Sequence, residues 1–156
     1  MAITTDLVAA FLKCPTKCFL RAHAEVETGN AYADWVRTKD RLFRSDGIKR
    51  LVTGVAPDKC VSGITATEAG RSARWQLALD FVSRSEGLQC SCSAVERIPS
   101  AGGGQAVQVV PIHFVFSNKL TRHDRLLLAF DALVISKALG REVTQQTATP
   151  PLFNSA

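Results

Sequence analysis

The chain has 156 residues, is 46% hydrophobic and 21% charged, and carries a formal net charge of +5 with a pI near 9.2. That length and apolar content suit one folded domain and exclude a disordered chain, while the surplus of base favours an anionic partner, nucleic acid ahead of a membrane surface. No apolar run approaches the roughly 20 residues needed to span a bilayer, and the opening MAITTDLVAAFLKCP lacks a basic leader and a small-residue cleavage site, so a cytoplasmic protein with no membrane partner is expected.

From the N-terminus, Thr4, Thr5 and Asp6 offer a helix cap, and Leu7, Val8, Phe11 and Leu12 have helical spacing. Pro15 suits the first position of a second helix running to about Val26. Asn30 caps a third, Ala31 to about Val52, in which Trp35, Val36, Leu42, Phe43 and Leu51 form an apolar stripe. Its remaining surface is basic. Arg37, Lys39, Arg41, Arg44, Lys49 and Arg50 stand against Asp40 and Asp46, a pattern that can follow a phosphate backbone or form a solvated helix face. Thr53 to Thr67 reads as loop with one short strand at Lys59 to Ile64, Glu68 to Leu79 as helix, and Leu79 to Val82 as the beginning of the next strand.

Leu88 to Lys119 reads as a long β-hairpin. In the first arm strict alternation sets Cys90, Cys92, Ala94, Glu96 and Ile98 on one face and Ser91, Ser93, Val95 and Arg97 on the other. Gly102 to Gly104 mark the loop. The second arm, Val107 to Phe116, places Val110, Ile112, Phe114 and Phe116 opposite Val109, Pro111, His113 and Val115, and its two apolar faces suggest a central strand with a bulge at Pro111. Thr121 with Asp124 then forms a capping box for a largely apolar helix that Gly140 ends. Asp131 is the only acid after its first turn, read as a core hydrogen-bond acceptor or a catalytic group. Residues 144–156 read as a polar tail beyond a domain of residues 1–143.

Five cysteines, an odd number without framework spacing, indicate reduced thiols. Cys14 and Cys18 share a helical face with His23 beyond, which admits a metal site, and Cys90 and Cys92 share a strand face; small buried apolar side chains are the alternative.

FLKCPTKCFLRAHAE, through Cys14, Pro15, Lys17, Phe19 and Leu20, resembles the opening motif of the RecB-like nucleases of the PD-(D/E)XK superfamily, which include CRISPR-associated iron-sulfur exonucleases. VVPIHFVFSNKLTRHDRLLLAFDAL is similar to a sub-family in which a Val-Pro-Ile strand precedes the following helix. The resemblance implies an α/β, restriction-endonuclease-like core with a central β-hairpin flanked by helices, incomplete at the C-terminus, and hence a fragment, a truncated product or a reduced relative.

It also implies chemistry. Hydrolysis by this superfamily uses two carboxylates on Mg²⁺ or Mn²⁺ and a Lys that steadies developing charge. Laid on the family pattern, His113 takes the Glu position, Val115 the Lys position, Leu127 the Gln and Asp131 the Tyr. Glu96, His113 and Lys119 are then the candidate catalytic residues, with Glu96 and His113 as metal ligands; a neutral core histidine, an Arg-paired Glu96 and a solvated Lys119 are the structural alternative. One Cys of the family's opening motif joins three distal ones on its iron-sulfur cluster, and no Cys follows Cys92, so no such cluster is expected within this chain. Three functions stay open: weak, non-specific DNA binding with little or no catalysis; an active metal-dependent nuclease with a displaced site; and a non-catalytic module for a protein partner.

Overall fold

The computed structural model describes residues 2–23, 30–72, 74–98, 108–116, 119–140 and 143. It is a mixed α/β structure whose elements run β1 (Ile3–Thr4), α1 (Thr5–Lys13), α2 (Pro15–Ala22), α3 (Ala31–Thr53), a 3-10 turn at Pro57–Lys59, β2 (Cys60–Ser62), α4 (Ala66–Arg71), β3 (Leu77–Ser85), β4 (Leu88–Ile98), β5 (Gln108–Ile112) and α5 (Arg122–Leu139). The glycine loop, the 144–156 tail and the end of the second expected helix lie outside the described residues.

Most helix boundaries follow from local chemistry. Thr4, Asn30 and Thr121 accept hydrogen bonds from the first-turn amides of α1, α3 and α5, and Pro15 opens α2. The Thr121–Asp124 capping box forms in both directions, and Gly140 ends α5 at a φ of 63°. Glu68 to Leu79 is not one helix: α4 stops at Arg71, and the chain is already a strand at Leu77. Trp75 explains the break, because its indole turns back into the core and donates to the Ala69 carbonyl at 3.1 Å, folding the segment behind α4 over it.

β4 is the centre of the sheet. It pairs antiparallel with β3 along one side, and on its other side parallel with β1 at its start and antiparallel with β5 at its end; β2 adds to β3 in parallel. The hairpin that organises the sheet is therefore β3–β4, closed by Glu86 and Gly87 at φ of 48° and 77°, the positive pair that a two-residue type I′ loop requires. The expected β4–β5 arm pairing exists, with Ala94 opposite Ile112 and Glu96 opposite Val110. β5 is nonetheless an edge strand among the described residues, and Pro111 sits opposite Val95 in an unbroken register without the expected bulge. A strand edge that needs no donor accommodates a proline directly.

One backbone angle decides which side chains face which layer. Asp80, in the middle of β3, has a φ of 49°. Before it, Ala78 joins the core cluster under α4 and α5 while Leu77 and Leu79 join the opposite cluster; after it, Phe81 joins Ala78's cluster. The facing stretch of β4 changes phase at the same level, since Cys90, Cys92 and Val95 lie in the α5-side cluster and Ala94 in the other. Strict alternation thus fails between Cys92 and Ala94. Glu96, paired with Leu77 and Val110, stands on the face away from Cys90 and Cys92, which corrects the single face expected for Cys90, Cys92, Ala94, Glu96 and Ile98.

The far face is covered by the C-terminal half of α3, whose Leu51 and Val52 join Phe114, just past β5, around Leu77, Ala94 and Ile112. Gly47 is the contact point. A Cβ there would overlap the Phe114 ring, and one turn earlier Phe43 meets Phe116 edge-on at 5.6 Å. Gly47→Ala should therefore destabilise the fold by about 1–3 kcal/mol through overpacking, against the gain of up to about 1 kcal/mol that alanine brings to an ordinary helix interior. Urea unfolding of the two proteins checks the sign; a more stable alanine variant would mean that α3 is not held at this glycine.

Candidate functional site

Asp131 is fully buried on the inner face of α5 and gathers the polar side chains of three other segments. The Thr5 hydroxyl, at the start of α1, donates to Oδ1 at 2.6 Å. The His113 ring, just past β5, meets Oδ2 through Nε2 at 2.5 Å, and the Cys92 thiol donates to the same oxygen at 3.5 Å. Cys90 lies beside them, its thiol directed at the Asp131 main-chain carbonyl at 3.9 Å. With Asp131 as a carboxylate, which only accepts, His113 Nε2 is the donor of this contact.

The arrangement follows from the strand period. Cys90 and Cys92 alternate with Ser91 on β4, so both thiols point under α5, and their backbone is fixed by pairing with Ser83 and Phe81. Ser83 is buried as well and donates to the Val134 carbonyl at 3.4 Å, so α5 is bonded to the sheet on both sides of the carboxylate. No buried side-chain nitrogen or oxygen among the described residues lacks a hydrogen-bond partner. The Cys92 thiol is pushed far above its ordinary 9.0, first by its hydrogen bond with Cys90, then by burial and by the negative charge of Asp131. It stays protonated at neutral pH.

Cys90, Cys92 and Asp131 can hold one metal ion: their donor atoms lie within 4.8 Å of one another, and all three side chains are buried. No other such group of three occurs among the described residues, so Cys14, Cys18 and His23 do not converge. His23 is engaged locally, Nδ1 donating to the Phe19 carbonyl at 2.8 Å. Cys14 is exposed, and the Lys17 amide at the start of α2 draws its thiol below the ordinary value.

The candidate residues Glu96, His113 and Lys119 are not brought together. Glu96 is half-buried opposite Val110 on the α3 side of the sheet, whereas His113 reaches α5 on the other side; Lys119 is exposed beyond β5. Glu96 and His113 therefore cannot share a metal ion, and the oxygen-rich shell that Mg²⁺ demands is not formed by these side chains. Sequence reasoning did reach His113 and Asp131 singly. It missed Thr5 as the third partner, because a hydrogen bond across 126 residues leaves no local signal.

The six basic residues of α3 are all exposed, and no residue of that helix is buried. Arg37 pairs with Asp34 at 2.5 Å, Arg44 with Asp40 at 3.0 Å and Lys49 with Asp46 at 3.7 Å, all solvent-facing pairs of little strength. Tyr32 and Trp35 stack in the open with ring centroids 6.1 Å apart, and the Lys39 ammonium lies 5.8 Å from the Trp35 ring. The apolar stripe expected to pack is thus covered only at its C-terminal end; Trp35, Val36 and Leu42 face outward. No described helix is long and apolar enough to cross a membrane.

Comparison with protein-family models and with curated proteins finds no match.

Three outcomes follow from the site. Asp131→Ala strands the donors of Thr5, His113 and Cys92 and should cost about 3 kcal/mol or more, whereas Thr5→Val should cost about 1 kcal/mol, both read from urea unfolding. The thiols should react in a fixed order. Cys14 should be alkylated first, already below the pH at which an ordinary thiol reacts, and Cys92 only on unfolding. The raised Cys92 value also sets a sign: its stabilising contribution is whole below the unfolded-state value near 9.0 and is lost as pH climbs above it, by about 1.4 kcal/mol per pH unit. Cys92→Ala should flatten that alkaline slope, and an unchanged slope would exclude the thiol as its source.

Proposed function

We propose that this chain is a nucleic-acid-binding domain related to the RecB-like nucleases, which engages DNA weakly and without sequence preference through α3 and has little or no hydrolytic activity. The observation that carries the reading is α3 itself: a helix of 23 residues, none buried, with six basic side chains against three aspartates. Phosphates can replace the aspartates as partners at little cost, since exposed ion pairs contribute little and the helix keeps a net positive charge. The exposed Tyr32–Trp35 pair beside Lys39 adds aromatic faces on which unpaired bases can stack.

The catalytic half of the family's chemistry finds less support. Hydrolysis by its route needs two carboxylates and a Lys at one edge of the sheet. Asp131 is occupied by three donors beneath α5, and Glu96 lies on the other side of the sheet. The purified protein should therefore leave DNA intact with Mg²⁺ and at most degrade it marginally with Mn²⁺. Degradation with Mg²⁺ that Glu96→Ala and His113→Ala both abolish would establish the active nuclease instead.

Binding is tested by its salt dependence. Each phosphate contact on duplex DNA adds about 0.9 to the slope of log affinity against log salt. The charge reversals Arg41→Glu and Arg44→Glu should flatten that slope and weaken binding, while Tyr32→Ala and Trp35→Ala should weaken single-strand binding with little change in slope. Affinity unchanged in all four variants would remove α3 from nucleic-acid recognition and leave its apolar side chains as a surface for a protein partner.

A further inference from the structure

We propose that Cys90, Cys92 and Asp131 bind a thiophilic divalent cation of the Zn²⁺ class, with the His113 imidazole as fourth ligand. The inference is independent of nucleic-acid binding, since the cluster and α3 lie on opposite faces of the sheet.

Distances carry the first step. A tetrahedral zinc ion with bonds of about 2.3 Å to sulfur and about 2.0 Å to oxygen separates those two donors by about 3.5 Å. Cys92 Sγ and Asp131 Oδ2 are 3.5 Å apart, and Cys90 Sγ completes a group in which no donor pair exceeds 4.8 Å. Both thiols are held on the central strand by ladder pairing with β3, so little ordering remains to be done when the ion enters. His113 is the adaptable member. Its Nε2 meets Oδ2 at 2.5 Å, a hydrogen-bonding separation, but it stands outside the group of donors that lie within 4.8 Å of one another, so the ring must swing toward the thiols to complete a tetrahedron. It lies outside the strands, and its side chain is 22% exposed, so it can shift and give the ion a way in.

The donor set selects the cation. Two sulfurs favour Zn²⁺, Co²⁺ or Cd²⁺ and disfavour Mg²⁺ and Ca²⁺, which need oxygen shells. The Thr5 hydroxyl on Oδ1 orients the carboxylate so that Oδ2 faces the thiols, as outer partners of metal ligands do. Without metal the same atoms form a satisfied hydrogen-bonded group, Cys92 donating to Asp131. Uptake exchanges the thiol protons for the ion: two S–H bonds break, two metal–sulfur bonds form and those two protons pass to solvent, while His113 binds as the neutral imidazole with Nε2 free of its proton and Nδ1 carrying one.

The test uses the full chain under a phosphine reductant, titrated with Co²⁺ and then with Zn²⁺ against a chromophoric chelator. One Co²⁺ per chain should give sulfur-to-cobalt charge-transfer bands in the near ultraviolet and strong visible bands of a tetrahedral ion, displaced by Zn²⁺ and untouched by excess Mg²⁺. Cys92→Ser should abolish the bands, and His113→Ala should shift the visible bands and weaken affinity at least tenfold. Cys14 and Cys18 are the competing thiols. The Cys14→Ser/Cys18→Ser double variant leaves the buried group intact and should keep the full spectrum, so the proposal stays testable even if Cys92→Ser does not fold. Absence of the bands in the unaltered protein, or their loss in the double variant, would overturn it.

Discussion

The structure depends on one buried negative charge. A carboxylate without compensating donors costs several kcal/mol inside a protein, so Asp131 can stay at zero exposure only while Thr5, His113 and Cys92 remain in place around it. Those three residues belong to α1, the segment after β5 and the central strand. The group therefore acts as a clasp between the N-terminal helix and the last helix, across 126 residues of chain. α1 gains little else from the sheet; Ala10 is its only fully buried residue. The hydroxyl of Thr5 thus matters to its docking more than any single apolar contact in it does.

A second constraint is conformational. A residue other than glycine at φ 49° is held there at a cost of about 1–2 kcal/mol, and Asp80 bears it in the body of a strand. What the angle brings is a change of phase in two paired strands at once. Cys90, Cys92 and Phe81 can then lie under α5, while Ala94, Leu77 and Leu79 turn toward α3 only one pair further along. Without the reversal Glu96 would share the thiols' face. With it, Glu96 and Asp131 stand on opposite faces of the sheet.

What could be read from the sequence was local in origin. The caps at Asn30, Pro15 and Thr121, the left-handed Gly140 and the existence of the β4–β5 pairing all follow from signals confined to a few adjacent residues. β3 is legible only from Leu79, two residues late, because Leu77–Ser85 follows directly on a helical pattern and the Trp75 contact that ends that pattern is tertiary. Face assignment on β4 failed for a different reason: alternation is reliable only while φ stays extended, and nothing in the letters Leu-Asp-Phe announces a positive value at Asp80. Amphipathic spacing in α3 correctly found an apolar stripe, but spacing states no partner, and the sheet covers only the part near Gly47. The buried cluster was half legible. Cys90 and Cys92 share a face by period, and Asp131 is conspicuous in an apolar helix, yet their meeting with Thr5 and His113 depends on the packing of α1 and α5.

The two candidate functions meet in one short piece of chain. His113 and Phe114 are neighbours in sequence and point to opposite sides: the imidazole to Asp131 under α5, the phenyl ring to Gly47 of α3. Phe116 continues the second contact against Phe43. The contacts that place the C-terminal half of α3 on the sheet, Phe114 and Phe116, thus follow closely in the chain on the residue that closes the polar cluster. Gly47, which bears no charge and touches no candidate ligand, therefore fixes where the surrounding arginines of α3 stand relative to the sheet.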